Sequence, residues 1–206
     1  AVLIKGETVV KTPLTGKIDY IADKGQRLRI GTAIARVTGE GNSVTVYSPK
    51  AGLFCTEVDG LEGVLNPANK NLLDLSIVEQ LAFGNKTGLN NEIIQKGVPF
   101  AKLVDNLNPL LLFVFLEGEN LGTVENLAEY DKLGIYWENE RMTGTIIETR
   151  SRDDSCELLI EVSSYPEQIL HYRQVEITFV VQEIKGFCVP QKALVFDNNR
   201  AGIFIV

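Results

Sequence analysis

At 206 residues the chain can hold one large or two modest domains, and its 45% hydrophobic and 23% charged content excludes a disordered or low-complexity protein. A net charge of -7, with no stripe of lysine or arginine, argues against a surface built to neutralise nucleic-acid phosphates. The most apolar run, Leu110 to Leu116, has seven residues, far short of the roughly 20 a membrane-spanning helix needs, so it reads as a strand buried on both faces.

In chain order, the first signal is a duplication. Thr12-Pro13-Leu14-Thr15-Gly16 returns 36 positions later as Ser48-Pro49-Lys50-Ala51-Gly52. Each copy leads into a strand-like run and then into Gly31-Thr32-Ala33-Ile34-Ala35-Arg36-Val37 or Gly97-Val98-Pro99-Phe100-Ala101-Lys102-Leu103. Leu28 and Ile94 stand three places before the respective glycines. A repeated unit of short strands predicts two interlocking β-halves that bury one another's apolar face, neither folding alone. Proline lacks an N–H and the glycine after it tolerates positive φ, so each Pro-Gly pair is expected to turn the chain sharply into a strand. Between the copies lies the glycine-rich tip Thr38-Gly39-Glu40-Gly41-Asn42-Ser43-Val44-Thr45-Val46.

The second copy is longer: 18 positions separate Pro13 from Gly31, but 48 separate Pro49 from Gly97, an excess of 30. The excess contains Val58-Asp59-Gly60-Leu61-Glu62-Gly63-Val64-Leu65-Asn66-Pro67 and a Gly/Asn-rich loop from Gly84 to Asn91. Between them a helix is expected from Leu72 to Leu81, with Leu72, Leu75, Val78 and Leu81 on its apolar face and Asn69 or Asn71 as its cap. Residues 66–91 either bind a partner or cover an open end of the sandwich.

Composition shifts across Leu103 to Pro109, where a domain boundary is expected. Beyond it, Leu158, Ile160 and Val162 alternate with Glu157, Leu159 and Glu161, and Val175, Ile177, Phe179 and Val181 alternate with Glu176, Thr178, Val180 and Gln182. Both patterns read as half-buried strands. Ser151-Arg152-Asp153-Asp154-Ser155 is expected to turn a hairpin. A second short helix is expected at Val124 to Leu127, or across Ser163 to Leu170 with Ser164 as cap and Pro166 in the first turn.

The spacing Gly25-x-x-Leu28-x-x-Gly31-x-x-Ile34-x-x-Val37 resembles the biotinyl/lipoyl half-motif. In that superfamily the tip between the halves presents the lysine that is modified, and here the tip has none. Lys24 and Lys50 lie beside other turns and read as solvated. A carrier-like fold without its lysine resembles the barrel-sandwich hybrid of the periplasmic adaptors, or membrane fusion proteins, of the HlyD type. Lys185-Gly186-Phe187-Cys188-Val189-Pro190-Gln191-Lys192-Ala193-Leu194-Val195, followed by Asn199 to Val206, is similar to the passage by which that family's chain leaves its β-barrel. Gly144-Thr145-Ile146-Ile147 and Arg173-Gln174-Val175-Glu176 resemble its barrel segments. The long α-helical hairpin that many adaptors insert at the tip is missing, and the phrase from Val58 to Pro67 resembles a hairpin-less branch from Gram-positive bacteria.

The resemblance implies a mostly β protein. Residues 1–105 would form the barrel-sandwich hybrid, with an inserted helix and loop at 66–92; residues 106–185 a β-barrel; and residues 186–206 the exit strand region that starts a membrane-proximal segment. It further implies a non-enzymatic, extracytoplasmic adaptor of a membrane transport or efflux complex, at the surface of a Gram-positive bacterium or in a periplasm. A membrane protein partner is expected, a homo-oligomer is left open, and so is a membrane anchor upstream of residue 1. The alternative is an envelope scaffold for cell division or wall assembly without a transported substrate; a biotin or lipoyl carrier ranks below both.

The residues themselves call for no catalytic, cofactor or metal site. The single histidine, His171, has no flanking nucleophile motif and reads as structural. Cys55, Cys156 and Cys188 are scattered and read as small apolar residues in strands. Gly39-Glu40-Gly41 is a bare Gly-x-Gly, better explained by positive φ than by nucleotide binding, and the acid pairs Glu117/Glu119 and Glu138/Glu140 read as solvated strand faces.

Overall fold

A computed structural model of the chain describes residues 1–81, 83, 93–117, 132–152, 155–180, 190–197 and 200–202. Among these, the first hundred residues supply β1 (Val2–Ile4), β2 (Glu7–Lys11), β3 (Lys17–Tyr20), β4 (Arg27–Leu28), β5 (Ala33–Gly39), β6 (Asn42–Tyr47) and β7 (Gly52–Cys55). A short helix α1 (Leu75–Gln80) follows, then β8 (Pro99–Val104), β9 (Leu110–Glu117), β10 (Leu133–Trp137), β11 (Glu140–Arg152), β12 (Ser155–Ser164) and β13 (Thr178–Val180). Nearer the C-terminal end β14 (Val195–Asp197) and β15 (Arg200–Gly202) pair antiparallel.

The duplication folds as two halves that trade edges. One sheet runs β3-β5-β6 and the other β2-β8-β7-β4, so the inner pair of each comes from one copy and is flanked by segments of the other. Equivalent residues make equivalent bonds. Leu28 stands opposite Gly52, while Ile94 and Gly16 exchange both N–H···O bonds at 2.9 Å. Thr12 N–H donates to Val98 O (3.0 Å) and Gly97 N–H to Thr12 O (2.9 Å); Ser48 N–H donates to Thr32 O and Gly31 N–H to Ser48 O, both at 2.8 Å. The hydroxyls of Thr12 and Ser48 are buried, and each is satisfied by a carbonyl, Gln95 O and Lys50 O respectively, at 2.6 Å. Between the sheets lie Val10, Leu28, Ile34, Phe54, Phe100 and Leu103. Full burial of such side chains contributes about 1.5–3 kcal/mol each before chain entropy is charged against it.

The glycines of the Pro-Gly turns serve a different purpose from the one expected. Gly16 and Gly52 are not among the positive-φ residues; they sit where a Cβ would come within 2.2 Å of Thr38 O and 2.6 Å of Val104 O. Close passage of two backbones requires them. Positive φ belongs instead to Gly31 (79°) and Gly97 (85°).

Beside this two-sheeted sandwich, β1 and β9 to β13 build a six-stranded sheet, hereafter the second sheet, in the order β1-β9-β12-β11-β10-β13. Its period-2 alternation separates two cores: Leu3, Leu110, Leu112, Val114, Leu158 and Ile160 face one way, and Val2, Ile4, Leu111, Phe113 and Leu159 the other. The segment Arg173–Val175, which leads into β13, hydrogen-bonds β1 through Leu3 N–H to Arg173 O (2.9 Å) and Val175 N–H to Ala1 O (3.0 Å). One segment therefore touches the first strand of this sheet and continues into its last.

Two parts of the first hundred residues belong with this second sheet. Val2–Ile4 pairs antiparallel with Leu111–Phe113. The insertion lays Leu61, Leu65, Leu73 and Val78 over Val2, Ile4, Leu111, Phe113 and Leu159. It covers the outer face of the second sheet, not an open end of the sandwich. For the same reason β12 is more than half-buried, since Glu157 and Leu159 are enclosed as well as Leu158 and Ile160.

The expected helix from Leu72 to Leu81 is two pieces. A 3-10 turn, Pro67–Leu72, capped by Asn66, ends where Leu73 turns extended, and α1 then starts with Asp74 as its cap, accepting from Ile77 N–H at 2.9 Å. That break rotates the apolar face, so Leu72 is 70% exposed while Leu73 is buried. Across 163–170 the helix is a 3-10 turn, Glu167–His171, with Pro166 at its N-cap position; Ser164 ends β12 and caps nothing. The expected helix at Val124–Leu127 and the loop from Gly84 to Asn91 lie outside the described residues.

Candidate functional site

The tip between the halves is a hairpin. β5 and β6 pair through Gly39 opposite Asn42, and Glu40 (φ 45°) and Gly41 (φ 80°) form a two-residue turn of left-handed backbone. Its base is pinned to the Pro-Gly turn of the first copy, for a Cβ on Gly39 would lie 2.0 Å from Thr15 O. The turn offers no amine to modify. Lys17 stands opposite Thr38 within β3, Lys24 is ion-paired with Glu57 beside another turn, and Lys50 is exposed at the mouth of a cavity of about 350 Å³ shared by both sheets' edges.

Where the sandwich meets the six-stranded sheet, six largely buried charged side chains converge. Glu7 comes from β2, Lys102 from β8, Asp59 and Glu62 from the insertion, Lys5 from the connection after β1, and Arg173 from the segment before β13. Lys102 Nζ lies 3.1 Å from Glu7 Oε1, 3.0 Å from Glu62 Oε1 and 4.0 Å from Asp59 Oδ1. The Arg173 guanidinium donates to Asp59 from Nε (2.6 Å) and Nη2 (2.8 Å), and its Nη1 lies 2.6 Å from Glu7 Oε2. Lys5 Nζ donates to Leu170 O and, at 2.9 Å, to Tyr172 O. Gly60, in left-handed backbone at φ 81°, turns the insertion so that Asp59 accepts from Leu61 N–H and Glu62 accepts from Asp59 N–H.

Burial and pairing pull these groups in opposite directions. Burial raises Asp59, but the hydrogen bonds from Arg173 and Leu61 N–H, with the charge of Lys102, hold it well below the usual carboxylate range. Burial lowers Lys102, yet Glu7 and Glu62 outweigh it and leave the ammonium more basic than usual. Arg173 is held charged by Asp59 and Glu7 against its own burial. For Lys5 burial wins over the attraction of Glu7, bringing it down to about 8. Three acids stand against three bases, each tied to a partner by short contacts, an arrangement suited to fixing a geometry rather than to moving protons.

His171 ends the 3-10 turn as an exposed residue at the rim of a second cavity of about 340 Å³, beside Lys5, Lys102 and Arg173. Cys55 and Cys156 are buried in β7 and β12 with free thiols, and Cys188 lies outside the described residues. Glu138 sits in the β10–β11 turn at φ 54° and Glu140 is exposed beside it. Among the described residues no group of three or more His, Cys, Asp or Glu side chains is placed to hold a metal ion, and no helix is long and apolar enough to cross a membrane.

Sequence reasoning passed over the cluster. Lys102 was visible only as the basic position of a repeat, and Asp59 and Glu62 only as part of a phrase. Glu7, between Gly6 and Thr8, carried no sequence signal at all. Also overlooked was Glu157, buried in β12, which accepts from Leu75 N–H at 3.1 Å and so helps seat α1 on the sheet.

No curated protein matches the sequence. Among solved structures, a protein from Bacteroides eggerthii DSM 20697 described as a candidate efflux transporter is similar over 100% of this chain and 77% of its own, at 11% identity and a TM-score of 0.48. Residues 7–105, the span from β2 through β8, match the family described as RND related, barrel-sandwich hybrid domain. The traded edges, the lysine-free hairpin tip and that match agree: residues 7–105 are a barrel-sandwich hybrid domain of the RND-related kind.

Proposed function

We propose that this chain is a non-enzymatic, extracytoplasmic adaptor of a membrane transport or efflux complex, working through protein–protein contacts with a membrane partner. The observation that carries the reading is the RND-related sandwich whose tip is a two-residue turn without a lysine. A swinging cofactor has nowhere to attach there, so the domain's rigid surfaces are left as its means of action. On this reading there is no catalytic, cofactor or metal site. The second sheet, with its Arg173–Val180 segment hydrogen-bonded to β1 at one end and to β10 at the other, is the adaptor's β-barrel over residues 106–185, closed with the help of β1. Residues 186–206 are the exit strand region.

A second reading, an envelope scaffold without a transported substrate, draws on the same short tip. With two residues at its turn, the hairpin has no helical arm to reach a distant channel.

Crosslinking in native membranes, followed by identification of the captured proteins, tests the proposal. Capture of a transporter subunit supports the adaptor, whereas capture confined to division or wall-assembly proteins supports the scaffold. Peptide mass mapping of protein from its own host should find every lysine of residues 1–206 without a biotinyl or lipoyl increment, and such an increment on any lysine would refute the cofactor-free reading.

A further inference from the structure

We infer that residues 57–81 form a clasp that fixes the angle between the sandwich and the six-stranded sheet, and that Arg173 closes it. The segment leaves the sandwich after β7 and rejoins it where Ile94 bridges Gly16, and between those points it crosses to the neighbouring sheet. Its apolar side chains Leu61, Leu65, Leu73 and Val78 are buried there against strands of the other domain. Two polar ties secure the crossing, from Leu75 N–H to Glu157 Oε1 at 3.1 Å and from Arg150 Nη1 to Leu73 O at 2.6 Å. An insertion that only decorated the sandwich would have no reason to surrender its apolar face to a different sheet.

The ion cluster holds the clasp closed. Arg173 belongs to the second domain, Glu7 to the sandwich and Asp59 to the clasp, and the one guanidinium spans both acids. Rotating the sandwich against the sheet would separate Arg173 from one of them and break a largely buried ion pair. The joint has, in consequence, one favoured geometry, although the chain connects the two bodies only through short stretches around Gly6 and Asp105–Pro109. Even these are tight, for a Cβ on Gly6 would lie 3.2 Å from Asp105 Cβ. The hairpin tip at Glu40–Gly41 is thus carried at a fixed distance and direction from the six-stranded sheet, as a rigid spacer rather than a swinging module. This holds whether the partner is a transporter or a scaffold.

The test is a distance distribution by double electron–electron resonance on the whole chain. Spin labels go on Ser43→Cys beside the tip and Asn139→Cys in the β10–β11 turn, both exposed. Cys188 is replaced by serine, and the buried Cys55 and Cys156 are left in place. The expected result is a single narrow peak that broadens and shifts in Arg173→Met while circular dichroism keeps its β signature. The exposed Glu79→Gln on α1 should leave the peak unchanged. A folded Arg173→Met with the parental peak overturns the clasp. If Arg173→Met does not fold, Arg173→Lys carries the same comparison, since a shorter side chain with one nitrogen cannot reproduce the planar fork that puts Nε and Nη2 on Asp59 and Nη1 on Glu7: a broadened peak supports the clasp and a parental one overturns it. No partner enters the measurement, so its failure and that of the adaptor reading are separately visible.

Discussion

Arg36 and Lys102 hold the same place in the two copies of the repeat, and the fold treats them in opposite ways. Each is the basic residue after a Gly-x-x-hydrophobic-Ala run, and each lies in the middle strand of a pairing, Asp19–Arg36–Thr45 in one sheet and Val9–Lys102–Cys55 in the other. Arg36 points to solvent, whereas Lys102 is 5% exposed and surrounded by Glu7, Asp59 and Glu62. Nothing within either motif distinguishes them. The difference comes from the 30 extra residues of the second copy and from the second sheet, which together roof over one face of one half only. A repeat sets turns and strand order, while the value of each outward position is set by whatever the rest of the chain brings against it.

The largest effect should come from separating the halves. Residues 1–42 retain β3, β4 and β5 but lose the partners of β2 and β4, namely β8 and β7. The fragment should show no cooperative thermal transition by circular dichroism; a cooperative melt would mean that the first copy does not need the second.

Next come the two equivalent basic residues. Lys102→Met strips a buried partner from Glu7 and Glu62 and should cost about 3–5 kcal/mol in urea unfolding, while Arg36→Met at the matching exposed site should stay within about 0.5 kcal/mol. Equal effects would erase the comparison. In the clasp, Leu73→Ala should cost about 2–5 kcal/mol and Leu72→Ala close to nothing, because only the former is buried against the second sheet.

These contrasts also mark what could be read from sequence. The equivalences Thr12/Ser48, Gly16/Gly52, Leu28/Ile94 and Gly31/Gly97 were legible because local chemistry dictates them: a proline, a residue without Cβ, an apolar plug. Even so, the purpose of Gly16 and Gly52 was misjudged, since a crossing of two backbones far apart in sequence leaves no local trace. Phase was lost in the insertion because two extended residues, Leu73 and Asp74, separate a 3-10 turn from α1. The placement of Val2–Ile4 in the second sheet, and the gathering of Lys5, Glu7, Asp59, Glu62, Lys102 and Arg173, are long-range facts that strand periodicity does not encode.

The smallest effect is a pH dependence. Lys5 titrates at about 8 in the folded chain against 10.5 when free, so between these values the unfolded chain holds a proton that the folded one has lost, and the contribution of Lys5 to stability rises with pH. Lys5→Met should flatten that rise in urea midpoints measured from pH 8 to 10.5. Asp59 behaves oppositely: its depressed value contributes stability that is present above the usual carboxylate range and lost as pH falls below about 4. Asp59→Asn should make the acid limb of the stability curve shallower.

The central claim, that the second copy has been rebuilt to fuse two domains into one body, is tested most directly by native-state amide exchange across low urea. The account predicts that the most protected amides of β5 in the sandwich and β12 in the six-stranded sheet converge on one global opening free energy. Exchange of β5 through a cheaper opening that leaves β12 protected would contradict it.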